Sequence, residues 1–140
     1  MTDEQRIVAW GDELIKLHDG FRRDLADLRS SRAGAADLRT HCLTFCDALH
    51  AHHEGEDNAL FPHLGIEHPE LAETLTRLRS EHRVVARLME RIRELLDHSS
   101  RAGVGEELDR LATELEAHLD YEEEQLVPIL NKMITLPEEV

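Results

Sequence analysis

The chain is short of the residues that interrupt helices and of those that fill sheets. Among 140 residues there are seven glycines and four prolines. Trp and Tyr occur once each, Phe occurs three times, and β-branched residues are few. Such a chain has little with which to build a pleated core, which argues against a sandwich or a barrel. Two cysteines, Cys42 and Cys46, are too few for a disulfide scaffold, and their helical spacing is not that of a C-x-x-C redox pair. They are expected to be half-buried thiols in a reducing compartment. No apolar run approaches the ~20 residues of a membrane helix. Positive charge is scarce as well: 16 Lys and Arg face 30 Asp and Glu, for a net charge of −14. A phosphate backbone would be repelled, so nucleic acid is not an expected partner. The opening MTDEQRIVAW has neither the basic nor the apolar region of a signal peptide, and a cytoplasmic location is expected.

Leu, Ala, Glu and Arg are abundant, the composition of an all-α protein. The length suits one domain over 1–140. Three groups of breakers divide it: RSSRAG at 29–34, HLGIEHPE at 63–70 and HSSRAGVG at 98–105. Gly65 is expected to stop a helix there and Pro69 to open the next. Apolar residues between the breaks recur every three or four positions. The pattern predicts helices over about 4–30, 35–63, 69–98 and 105–133, with 134–140 a frayed tail. Short connections make neighbours antiparallel, giving an up-down-up-down four-helix bundle.

Histidine is the anomaly, at ten residues. HAHHEGEDNALFP, residues 50–62, holds three pairs of a histidine and an acid four positions on: His50 with Glu54, His52 with Glu56, and His53 with Asp57. Each pair shares a helix face and could grip a metal. An internal repeat selects among them. His, three residues, Glu, five residues, Pro occurs at His52–Glu56–Pro62 and again at His118–Glu122–Pro128, an offset of 66. On a wheel of 100° per residue, Glu56 lies about 15° from the centre of the apolar stripe, His53 about 45°, His52 about 55° and Asp57 about 85°. His52 with Glu56 is the expected ligand pair. His53 with Asp57 is the runner-up, expected beside the ligands rather than among them.

His18 and His82 interrupt the stripes of the first and third helices as His52, Glu56, His118 and Glu122 interrupt those of the second and fourth. Counted from the turns, all six fall in one middle layer. Burying an unpaired carboxylate costs several kcal/mol or more, so the layer is either a hydrogen-bonded His–Glu network or a metal centre. Four imidazoles and two carboxylates suit iron, manganese or zinc. Six ligands exceed one tetrahedral zinc and fit two metals about 3.5–4 Å apart, bridged by carboxylates. Tyr121, one residue before Glu122, is a candidate contact to a ligand, a weak ligand or a radical relay. The alternative is a tyrosine at a helix–helix seam.

The order His18, His52-x-x-x-Glu56, His82, His118-x-x-x-Glu122, with LFP and LVP after the two glutamates, resembles the hemerythrin-like (HHE cation-binding) family. The resemblance covers nearly the whole chain. It implies two iron ions joined by an oxo or hydroxo bridge inside a four-helix bundle, with peroxide, oxygen or nitric oxide as small-molecule partners. The chain differs from the family's oxygen carriers in two places. Ala86 stands where they place a second histidine, four residues after His82, and Glu122 follows His118 at a spacing of four rather than five. One nitrogen ligand short, the chain is expected to resemble the bacterial members tied to peroxide or nitric oxide chemistry. An oxygen-binding or iron- and oxygen-sensing module is the alternative.

Overall fold

The computed structural model describes residues 10–30, 35–98 and 101–132. Among them every regular element is helical. Helix α1 spans Trp10–Ser30 and α2 spans Ala35–Gly55. A π-helical turn, Glu56–Leu60, follows without a break and leads into α3, Phe61–Glu67. A 3-10 turn, Pro69–Leu71, opens α4, Ala72–Asp97, and α5 spans Arg101–Leu130. The expected start of the first helix at 4, the expected end of the last at 133 and the tail 134–140 lie outside the described residues. No described helix is long and apolar enough to cross a membrane.

Three boundaries differ from the sequence expectation. Gly65 lies inside α3, and the chain leaves the helix at His68, with φ −135° and ψ 74°. The cause is Pro69, whose ring keeps the preceding residue out of the helical region. Pro69 then opens the 3-10 turn, where its missing N–H costs nothing. At the last connection α5 starts at Arg101 and absorbs Gly103 and Gly105. The π turn has no counterpart in the expected pattern, which assumed 100° per residue throughout.

The continuous α2–α3 rod, α1, α4 and α5 form a helical bundle in which α1 packs on α2 and α5, and α4 on α2 and α5. Polar pairs record the register. Along α1, Gly11 meets Asn131, just past α5, and Arg22 and Arg29 meet Asp120 and Asp109 of α5. Asp57, Asp47 and Arg39 of the second rod meet His82, Arg93 and Asp97 of α4. At the α1 end, the Gly11 N–H donates to Asn131 Oδ1 at 2.7 Å. A Cβ on Gly11 would fall on that side chain and 2.7 Å from the Val127 carbonyl oxygen, so only glycine lets the two helix ends close.

The apolar interior comes in two clusters. One holds Phe21, Phe45, Leu49, Met89, Leu111 and their neighbours, including Cys42 and Cys46. The other holds Leu14, Leu60, Phe61, Leu78, Leu126 and theirs. Burying a Leu or Phe side chain stabilises by about 1.5–3 kcal/mol, and these clusters clamp the bundle at both ends. Cys42 and Cys46 are 1% and 4% exposed, deeper than expected, and are free thiols; burial pushes Cys46 up to about 12, leaving it inert. The buried residues between the two clusters along each rod are polar.

Candidate metal centre

That polar layer receives His18 from α1, His52 and His53 from α2, Glu56 from the π turn, His82 from α4, and His118 and Glu122 from α5. Their donor atoms form two groups, each within 4.8 Å: His53, Glu56, His82 and His118, and His18, His52, Glu56 and Glu122. Glu56 belongs to both. Its Oε1 faces His82 Nε2 at 3.2 Å and its Oε2 faces His52 Nε2 at 3.4 Å. Glu122 divides in the same way, with Oε1 at 3.4 Å from His118 Nε2 and Oε2 at 3.4 Å from His18 Nε2. Each carboxylate thus turns one oxygen to each half of the cluster.

The outer ring nitrogens fix which atoms point inward. His18 Nδ1 lies 2.7 Å from Glu123 Oε2, His82 Nδ1 2.9 Å from Asp57 Oδ1, and His118 Nδ1 2.8 Å from Glu81 Oε1. A carboxylate only accepts, so each Nδ1 carries the proton and each Nε2 presents a bare lone pair to the centre. Arg22 braces Glu123 at 2.9 Å and Arg77 braces Glu81 at 3.0 Å. Three outer carboxylates thus join the inner two around the layer.

The titration directions follow from burial. Burial holds His52 down to about 4, with the neighbouring imidazoles adding to the effect and Glu122 opposing it. Burial likewise pushes His53 and His82 down, helped by adjacent imidazoles. Burial also pulls on His118, but Glu122 and Glu81 outweigh it and its value is raised. Burial and the Glu122 charge push Glu56 well above the carboxylate range. Burial pushes Glu122 the same way, yet the neighbouring Glu56 carboxyl and the His118 and His18 imidazoles hold it well below. Two adjoining buried carboxylates without a cation cannot both ionise freely.

The residues fit a metal pair better than a closed hydrogen-bond network. A network would satisfy its members, but nine buried polar atoms of this cluster have no hydrogen-bond partner: the Nε2 atoms of His18, His52, His53, His82 and His118 and all four oxygens of Glu56 and Glu122. Buried polar atoms in native proteins are almost always paired. These nine all converge on one place, and all are metal donors.

His53 is the residue that sequence reasoning set to one side. It is 4% exposed, its ring stacks on His82 at 3.8 Å and 10°, and it stands in the first donor group. The wheel placed it nearer the stripe centre than His52. The repeat argued against it, because its counterpart 66 residues on is Leu119. Asp57, its partner in the runner-up pair, instead bonds His82. The repeat also carried an unread signal: Asp57 and Glu123 are 66 apart, each follows an inner glutamate, and each holds a histidine of another helix. Tyr121 packs at the α4–α5 seam beside the second apolar cluster, its ring 3.7 Å from the Arg77 guanidinium. Arg77 in turn pairs with Glu81, which bonds His118.

The sequence of residues 12–130 matches the hemerythrin HHE cation binding domain family. That span covers most of the chain and every residue of the cluster, and the chain belongs to this family. No curated protein and no solved structure matches the chain.

Proposed function

We propose that this is a non-haem di-iron protein that reacts with peroxide, oxygen or nitric oxide as a protective oxidoreductase. The observation that carries this is the pair of donor groups sharing Glu56, with nine unpartnered donor atoms turned inward. His53, His82 and His118 would hold one iron and His18 and His52 the other, with Glu56 and Glu122 spanning both. An iron pair so held would bind a small oxidant and exchange electrons with it. The protein's own part is to aim five imidazoles at the centre, supply negative charge and limit access. His52 keeps 13% of its side chain exposed, against 0, 4 and 1% for His18, His82 and His118. Small molecules would approach by that edge, where the Phe21 ring lies 5.5 Å from His52 and holds back bulk water.

The same reading takes the four rods as an antiparallel up-down-up-down bundle, supported by partner numbers that fall along one rod as they rise along its neighbour. The buried free thiols suit a cytoplasmic setting. Reversible oxygen binding is the second reading, and His53 favours it. The sequence left the chain one nitrogen short of the oxygen carriers because Ala86 replaces a histidine; the fold brings a fifth imidazole to the layer from α2 instead.

Metal analysis with an optical spectrum of aerobically purified protein tests the centre. Two irons per chain with oxo-bridge absorption are expected, and a colourless zinc protein would refute it. Iron-dependent turnover of peroxide or nitric oxide is expected of the oxidoreductase. A reduced protein that binds oxygen through many cycles without such turnover would be a carrier.

A further inference from the structure

The two halves of the cluster are not built alike. The His53–His82–His118 half has three imidazoles, all at most 4% exposed. Two of them are held by carboxylates, His82 by Asp57 and His118 by Glu81. His82 also stacks with two flat rings, His53 at 3.8 Å and Phe61 at 5.5 Å. The second half has two imidazoles, of which His18 is held by Glu123 and His52 keeps the exposed edge. Glu56 belongs to both halves and Glu122 to the His18–His52 half, so each half has four ligands and they differ in nitrogen count, burial and ring packing.

Metal affinity rises with the number of nitrogen donors and with their preorganisation, because each ligand already in place loses less freedom on binding. We propose that the halves take up divalent metal unequally: the His53–His82–His118 half binds first and holds on longer, and the His18–His52 half fills second. The chain therefore has a stable one-metal form with its metal on the buried side and the solvent-facing half free. The inference rests on the metal-centre reading of the layer and adds an order of occupancy to it. It holds for any borderline divalent cation the layer accepts, because it depends on the number of imidazoles and on their packing.

The test uses the full chain loaded with cobalt(II) and titrated anaerobically with a chelator, following bound metal and the cobalt d–d absorption. A plateau at one metal per chain is expected. The His52→Ala variant should hold one metal that resists chelator to the same concentration as the plateau. His53→Ala and the milder His53→Gln should remove the plateau, with the resistant metal lost at roughly tenfold lower chelator or less. Retained helical circular dichroism would show that each variant is folded. Loss of both metals in one step from the unaltered chain, or a resistant metal that survives in His53→Gln and vanishes in His52→Ala, would overturn the order. A chain that binds no cobalt at all overturns the metal-centre reading as well.

Discussion

A single side chain here does its work through its second nitrogen as much as through its first. His18, His82 and His118 each give Nδ1–H to a carboxylate, and that bond decides that Nε2 faces inward bare. Removing such a partner typically costs 10–100-fold in metal affinity. Glu123→Gln is the cleanest case, because its amide can offer His18 Nδ1 either an acceptor or a donor and no longer fixes the tautomer. We expect metal affinity of the His18–His52 half to fall about tenfold or more, with Glu123→Asp recovering part of the loss. Chelator competition on the variants checks this. Unchanged affinity in Glu123→Gln would mean that packing alone orients His18. Arg22 also gives bonds to Asp19, Glu116 and Asp120, so its ion pairs tie α1 to α5 whether or not metal is bound.

One element decides more than its length suggests. In a regular α-helix five residues advance the wheel by about 140° beyond a full turn, so Phe61 would point far from Glu56. The π turn Glu56–Leu60 holds an extra residue, and both Glu56 and Phe61 are buried, at 3% and 0% exposure. Single π turns of this kind often mark functional sites. Deleting Asn58, an exposed residue of the turn, should let the rod close as an α-helix and keep α3 facing the core. The presentation of Asp57 to His82 should not survive. The expected outcome is a folded, helical variant with weakened metal binding in the His53–His82–His118 half. Circular dichroism and metal content read the two parts separately. Wild-type metal affinity in the deletion variant would show that the turn is incidental.

For the molecule as a whole, a layer of two buried carboxylates and five imidazoles lies between the two apolar clusters. A metal that binds only the native state stabilises it by mass action, by about 2.7 kcal/mol at a hundredfold excess over the dissociation constant. For a chain of this size that corresponds to about 5–10 °C in melting temperature. We expect the metal-free protein to melt at least that much lower, with amide exchange fastest to increase in the polar layer. Equal melting temperatures with and without metal would favour a self-satisfied His–Glu network.

The sequence by itself determined the helices, the two apolar stretches of each stripe and the polar gap between them. These are properties of spacing along one helix, and a period of 3.6 residues is enough to read them. The repeat at offset 66 placed His52–Glu56 and His118–Glu122 on inward faces for the same reason. Only the tertiary structure decided which atoms of different rods meet. Nothing local to Asp57, Glu81 or Glu123 says that each will hold a histidine of another helix, because that depends on how the rods are rotated and stacked. His53 shows the limit most clearly: the repeat made it look like an onlooker, matched with Leu119. The packing of α2 on α4, and the π turn beginning three residues on, turn its ring onto His82 and into the cluster.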